Sequence, residues 1–594
     1  MSANSPANPK YPTLNPMRVE LLLRLILVGG FALAAFHFLP PYWAKVSVWN
    51  LVDNDDAMRI LQVRDWLAGQ AWFDVSQHRL TAHPVSNIHW SRIADLPLAA
   101  TMVVAQAFVG PTLGEKIAVF LTPVWLGVVY LIIATRAAMA LGGQKALIPA
   151  ILLISCGSAA IFYFQPGRVD HHGLQLIFVA TALWSLFAGS HRMAALCGIA
   201  IALGIAVGLE ALPLQLVLIA WVTVRWGLRG QDVAKETRWF GLGLAITLAI
   251  AFVATVPVTA WSAPINDAIG RGHVVLGFVG GSLLALVTLL PRSGLTKRWV
   301  LLALIGGIVG GGLYFFPELI VPPYAQIDPL LTRLWLHNVA ETAPLIRAKH
   351  SISFAFALFP CLASLASIAA LIWAKGLERD RWVLAALTLF VATALALFWQ
   401  SRTAGLAMTA SGIMSAALIG KLISHAKLKQ ALLVALVLNP IIPGFVGAKI
   451  GELYEPKSTR VKTGGGAGCY TQRAFMALSN AKPGLVLAPI DMGARLLLTT
   501  NHRVLAAPYH RNNVGNLAAY RLFMAKPVAA GRQVRAMGID YVAICARSAE
   551  NNILSREAPD GLMAALRSGK PPAWLEPIPQ TKGSDVQAFI VKGS

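Results

Sequence analysis

The chain has 594 residues, 56% of them hydrophobic and only 13% charged, with a mean hydropathy of +0.62. That balance excludes a soluble globular domain and points to a polytopic membrane protein. Lys and Arg number 50 against 27 Asp and Glu; in a membrane chain this excess belongs in cytoplasmic loops, so no nucleic-acid partner is expected.

A spanning helix needs about 20 mostly apolar residues. In chain order the candidates are 20–39, 117–139, 146–164, 173–188, 193–209, 213–224, 240–256, 274–290, 299–316, 351–374, 382–398, 403–423 and 431–446, which makes about thirteen. The first has no small-residue cleavage site and reads as an anchor, not a signal peptide. With Lys10, Arg18 and Arg24 in the cytoplasm, each alternate connection is basic: Arg136 and Lys145; Arg192; Arg225, Arg229, Lys235 and Arg238; Arg292, Lys297 and Arg298; Lys375, Arg379 and Arg381; Lys421, Lys427 and Lys429. Loops 40–116, 165–172 and 317–350 and the tail after 451 then lie outside. The apolar stretch 96–109 would invert this pattern if it crossed. It is short for a span, and is expected to pack in or on the first external loop.

The fold class expected is mainly α: a polytopic membrane helix bundle over 1–450, with a periplasmic α/β domain over 451–594. In that tail 484–490, 541–545 and 586–591 read as strands, and 471–479 and 561–567 as helices. Its length suffices for a core of its own. Cys156, Cys197 and Cys361 lie in apolar runs and read as packing residues. Cys469 and Cys545 lie in the tail, where they either pair or stay free, since spacing alone cannot fix a disulfide.

Four features carry chemistry. The first external loop opens with Asp53-Asn54-Asp55-Asp56, three carboxylates within four positions, which suits a hard divalent cation or forms a solvated acidic turn. The second is Arg168-Val169-Asp170-His171-His172, where Asp170 and His172 are competent metal ligands or members of a wet membrane-edge turn. The third is Asn338-Val339-Ala340-Glu341 in a long loop, with Glu341 a metal ligand, a base, an acceptor-binding group or a solvated acid. The fourth is Arg402 between two spans, whose planar fork suits phosphate oxygens when it is not snorkelling to the interface.

The order of these pieces resembles the C-fold (GT-C) integral-membrane glycosyltransferases, most closely the catalytic subunit of oligosaccharyltransferase. The likeness covers nearly the whole chain in layout, but only short motifs in sequence. Asp55 stands nine residues before Arg64-Asp65, as a metal-ligand Asp does in the bacterial members. Asp170 matches the first acid of the second loop, and His172 replaces the second. Asn338-Val339-Ala340-Glu341 is similar to a Ser-Val-Ser-Glu-like motif of the catalytic centre. Arg402 matches the arginine that contacts the lipid-donor phosphate. Pro489-Ile490-Asp491 occupies the place of a Trp-Trp-Asp motif that reads an Asn-x-Ser/Thr acceptor. Both tryptophans are absent, which leaves the acceptor open.

The resemblance implies transfer of a sugar or oligosaccharide from a polyprenyl-phosphate- or diphosphate-linked donor to a glycan, lipid or protein acceptor. Asp55, Asp170 and Glu341 are the expected catalytic residues, and with His172 they are the expected ligands of Mn2+ or Mg2+. Arg402, Arg168, Asp491, His510 and Arg511 are the expected substrate-binding residues, with His510 and Arg511 otherwise part of a solvated loop. The expected location is a bacterial inner membrane, crossed many times, with the N-terminus cytoplasmic and membrane lipids as partners. Another enzyme reading is a polyprenyl-monophosphate-sugar transferase acting on lipid A, polysaccharide or Ser/Thr. A transporter or flippase is the alternative of another class; its ionisable groups belong at mid-bilayer, whereas these acids cluster in loops. A non-catalytic assembly factor is a third alternative.

Overall fold

The computed structural model describes residues 39–80, 87–290, 294–347, 351–372, 374–454, 467–581 and 585–593. Among these, eight helices are long and apolar enough to cross a membrane, or nine if the bent pair Gln144–Ser155 and Ser158–Phe164, 67° apart, is one span. Residues 20–38, expected to hold the first span, lie outside the described residues. The twelve later stretches fall mainly on helix, three of them on the shorter apolar helices His172–Ala188, His191–Val207 and Arg271–Val287.

Two of the eight need a geometric reading. Leu212–Thr255 runs for 44 residues, about 66 Å at 1.5 Å per residue, against a bilayer core of about 30 Å. It folds back near Gly230 (φ 60°), since Arg225 and Glu236 meet at 2.6 Å although eleven residues apart. Arg92–Val109 passes the length test, yet both its ends stand beside the same loops. Its Asp95 pairs with Arg59 at 2.6 Å. Past Gly110 the next helix, Pro111–Gly142, carries Val119, whose carbonyl accepts from the amide of Gly167 at 3.2 Å. The helix therefore starts and finishes at one end of the bundle.

Charge is sorted between the two ends. At one, Arg229 meets Asp380 at 2.8 Å and Lys421 meets Glu378 at 2.6 Å. At the other, the same helices or their leads carry His172, Glu210 and Arg402. Helix Ala404–Ser424 is the axis: its apolar stretch is 89% buried, with Ala and Gly letting neighbours approach closely. Gly142 abuts the backbone of Ala417, so even a Cβ there would collide. Small residues at such crossings supply the packing that holds helices together in lipid.

The C-terminal domain holds a five-stranded sheet ordered β2-β1-β3-β5-β4, from β1 Leu485–Leu487, β2 Arg503–Val504, β3 Tyr541–Cys545, β4 Leu575–Pro577 and β5 Val586–Val591. Strands β2, β1 and β3 are parallel, β5 runs antiparallel to β3, and β4 runs antiparallel to β5. Cys469 and Cys545 form a disulfide, Cα–Cα 5.8 Å. The domain does not close its core alone. Trp49, Met58 and Leu61 of the first long loop share one core with Phe475, Val486 and Leu497, and Leu331 and Trp335 share another with Leu487 and Phe523. Loops and domain are one body, seated on the end of the bundle that carries the site.

Candidate active site

The site is assembled from the start of helix Asn54–Leu67. Asp53 caps that helix by accepting from the amide of Asp55 at 3.4 Å, and Asp55 and Asp56 fill the first turn, where the helix dipole favours carboxylates. Asp56 then faces inward and accepts the amides of Val169 (2.9 Å) and Asp170 (3.2 Å). Arg168 lies 3.0 Å from Asp53, 3.0 Å from Asp56 and 3.5 Å from Asp170. The loop can make this approach because Gly167 sits at φ 94°, where a side chain would be strained and would crowd Val46. Asp55 and Asp170 thus become neighbours through Asp56, a residue that touches neither substrate space nor solvent.

Asp170 binds Nδ1 of His172 and lies 2.6 Å from Nδ1 of His171. The Nε2 of His172 is buried with no hydrogen-bond partner among the described residues, and the ring stacks on Tyr163 at 5.0 Å. His171 continues to Glu210 at 3.3 Å, which also takes Gln175 at 2.6 Å and faces Arg402 at 3.7 Å. Arg402 donates to the Tyr324 hydroxyl at 3.0 Å, while its Nε is buried without a partner among the described residues. Glu341 arrives beside it because its loop is strung on the connection before helix Ala404–Ser424. The amide of Ser401 donates to Ala343 and its hydroxyl to Ala340, at 2.8 and 3.1 Å.

The C-terminal domain roofs the site. Tyr509 donates to the carbonyl of Asn54 at 3.1 Å, and Arg495 binds Asn54 and the carbonyl of Leu51, each at 3.1 Å. Under that roof one cavity is lined by Asp55, His172, Glu341, Arg402 and His510, all named from sequence, together with His171, Glu210 and Tyr324, which were not. Asp170 is buried just behind the two histidines. The remaining expected residues lie elsewhere. Arg168 is spent on its three carboxylates. Asp491 sits under the C-terminal domain near Asp53, with its amide held by Glu550 at 3.0 Å. Arg511 grips Asp267 through both oxygens, at 2.6 and 2.8 Å, in an adjoining cavity.

Electrostatics fit a cation. Burial first, then Asp53, Asp170 and Glu341, push the Asp55 carboxyl well above its ordinary range. It has no ion-pair partner among the described residues. For Asp170 burial acts upward too, but the two imidazoles outweigh it and hold the carboxyl well below the usual range. Burial works against the charge of His171, yet Asp170 and Glu210 raise it to about 10. His171 is therefore an imidazolium bridging two carboxylates. His172 offers a buried Nε2 with no partner among the described residues, and its Nδ1 is held by a carboxylate, as in metal-binding histidines. The ligand atoms of Asp170, His171 and His172 lie within 4.8 Å of one another, and the carboxylates of Asp55 and Glu341 line the same cavity as His172, donor types that suit a divalent metal.

No family model and no curated protein matches the chain. Solved structures do. The archaeal oligosaccharyltransferase AglB from Archaeoglobus fulgidus, in complex with an inhibitory peptide and a dolichol-phosphate, superposes with a TM-score of 0.62 at 16% identity over 95% of this chain and 73% of that one. The apo enzyme from the same organism gives 0.60 at 16% identity, over 89% and 71%. The form tethered to an acceptor peptide containing an NVT sequon gives 0.59 at 15% identity, over 90% and 72%. At such identities the likeness establishes the fold alone: this chain shares the architecture of the archaeal oligosaccharyltransferase.

Proposed function

We propose that this chain is a metal-dependent glycosyltransferase that moves a sugar or oligosaccharide from a polyprenyl-phosphate or -diphosphate donor to an acceptor at the outer face of a bacterial inner membrane. The observation that carries this reading is the convergence of Asp55, His172, Glu210, Glu341 and Arg402 on one cavity at the bundle's end. The archaeal relative, solved with a dolichol-phosphate, supports the donor class. About thirteen crossings, an N-terminus in the cytoplasm and a periplasmic C-terminal domain belong to this reading, whose orientation the sorting of basic residues to the opposite end supports.

Asp55, His172 and Glu341 would hold the metal, with Asp170 as a further ligand or as the brace on His172. Bound there, Mn2+ or Mg2+ would neutralise charge developing on the leaving phosphate. Arg402 directs its fork at the same phosphate oxygens. The acceptor nucleophile attacks the anomeric carbon, the carbon–oxygen bond to phosphate breaks with its electron pair leaving on oxygen, and Glu341 takes the acceptor proton. Pro489 and Ile490 are buried in the domain core and line no part of this cavity. This favours a glycan or lipid-headgroup hydroxyl over asparagine as acceptor, and keeps the single-sugar reading from a monophosphate donor as the second proposal. Mass spectrometry of the product separates the two, since one added residue marks the monophosphate route. In the same assay Asp55→Ala and Asp170→Ala abolish transfer while the protein still inserts; normal transfer by both would sink the metal-site assignment.

A further inference from the structure

At the edge of the cavity, which His89 and His510 both line, three chain segments bring His89, Asp267 and His510 together. Each offers one ligand atom, and those atoms lie within 4.8 Å of one another. His89 comes from the first long loop, Asp267 from the connection between helices Ala234–Thr255 and Arg271–Val287, and His510 from the C-terminal domain. From this juxtaposition we propose a second metal site, of the zinc class, that ties the C-terminal domain and the first loop to the bundle. It is distinct from the Asp55–Asp170–His172–Glu341 set, with which it shares no ligand.

The donor set argues for the metal. Two imidazoles and one carboxylate leaving a fourth position open suit Zn2+, whose bonds to such atoms are about 2.0–2.2 Å. Ligand atoms around a tetrahedral ion with those bonds stand about 3.3 Å apart, so His89 closes in from within 4.8 Å while the hydrogen-bonded His510–Asp267 pair opens slightly. His510 Nε2 already lies 2.6 Å from Asp267 Oδ2. The rings of His89 and His510 are 4.7 Å apart, and the His89 imidazole has no hydrogen bond among the described residues. Asp267 is braced from behind: Arg511 binds both its oxygens and itself holds Asn87 at 2.8 Å. Each carboxylate oxygen has two lone pairs, so this brace leaves the one facing His510 for the ion.

The test is metal content of the full-length protein in detergent, stripped with chelator, reloaded with Zn2+ and desalted. Wild type and Asp55→Ala both retain the zinc equivalent of this site, whereas His89→Ala and His510→Ala each lose one equivalent. Unchanged zinc in both histidine variants overturns the proposal. Crystals of the unaltered protein soaked in Zn2+ give a check that does not depend on variants folding. An anomalous peak between His89, Asp267 and His510 supports the site, and a peak only at Asp170–His172 refutes it. Neither readout uses sugar transfer, so either site can fail without the other.

Discussion

The guanidinium of Arg402 stands 3.7 Å from the carboxylate of Glu210, and that same carboxylate holds His171 at 3.3 Å. Glu210 is thus the hinge between the two basic groups that face the cavity. Burial acts upward on Glu210, but His171, His172 and Arg402 hold its carboxyl well below the ordinary range, so it remains an anion. Glu210→Gln should lower turnover by unsettling both partners together. Arg402→Lys keeps the charge but loses the fork, and should raise the donor KM about tenfold, or ~1.4 kcal/mol. In the double variant the losses should fall short of their sum by about 0.5–3 kcal/mol. Additive losses in a kinetic double-mutant cycle would show that the two side chains act independently.

A second prediction concerns pH. Glu550 is buried in the C-terminal domain, accepting the amides of Ile490 (2.7 Å) and Asp491 (3.0 Å). Burial, and after it the neighbouring Asp491, push its carboxyl up to about 8. Burial, and after it Asp53, raise Asp491 to about 6. Both values exceed those of an unfolded chain, so folding takes up protons. The stabilisation is complete below about pH 4 and is lost as pH rises through 6 and then 8. The unfolding temperature in detergent should therefore fall between pH 5 and pH 9. Glu550→Gln keeps an acceptor for the amides and should remove the upper part of that slope; an equally steep profile in the variant would refute the assignment.

The docking of domain on loop gives a third prediction. Arg79 donates to the carbonyls of Thr500 and Leu497, both at 2.8 Å, at the C-terminal end of helix Gly493–Thr499. Those are carbonyls a helix leaves unpaired, and a cation there also meets the negative end of its dipole. Arg79→Ala should cost about 1–3 kcal/mol, read as a lower unfolding temperature and faster hydrogen exchange across 493–504. Arg79→Lys should restore little, because a single ammonium head does not span two carbonyls. Full rescue by lysine would mean that charge alone matters here.

The parts of the site legible in sequence share one property: they stand in polar runs between apolar ones. Asp55, Asp170, Glu341 and Arg402 were conspicuous against their loops, and the alternation of basic connections already placed them at one end. Glu210 was not, because it is a single acid in an otherwise apolar stretch, Val207-Gly208-Leu209-Glu210-Ala211-Leu212. An ionisable residue at a span's edge is a functional signal, and counting turns from Arg192 would have put it on the site's side. Asp267 escaped for the same reason, in a connection with no other acid. Composition alone does not tell Asp56 from Asp55, and only the spacing to Arg64-Asp65 singled out Asp55; the helix phase turns Asp55 into the cavity and Asp56 onto Val169. Likewise nothing in the tail's pattern shows that its core is completed by residues of two distant loops.

The last prediction tests the departure that the sequence itself displays. Where the resembling enzymes carry an acid two positions after the second-loop Asp, this chain has His172, with Nδ1 on Asp170 and Nε2 free. Imidazole suits zinc and the later first-row metals, whereas carboxylate oxygen suits Mg2+ and Mn2+. His172→Asp should therefore shift the metal profile of transfer toward Mg2+ and Mn2+, lowering the ratio of Zn2+- to Mg2+-supported activity severalfold. His172→Ala removes a ligand without replacing it, and should weaken activation by every metal. An unchanged profile in His172→Asp, from protein that still binds the donor, would place the metal outside the reach of His172. The free nitrogen would then be a donor to the acceptor or the phosphate, and His172→Gln, which offers an amide N–H, should recover activity where aspartate does not.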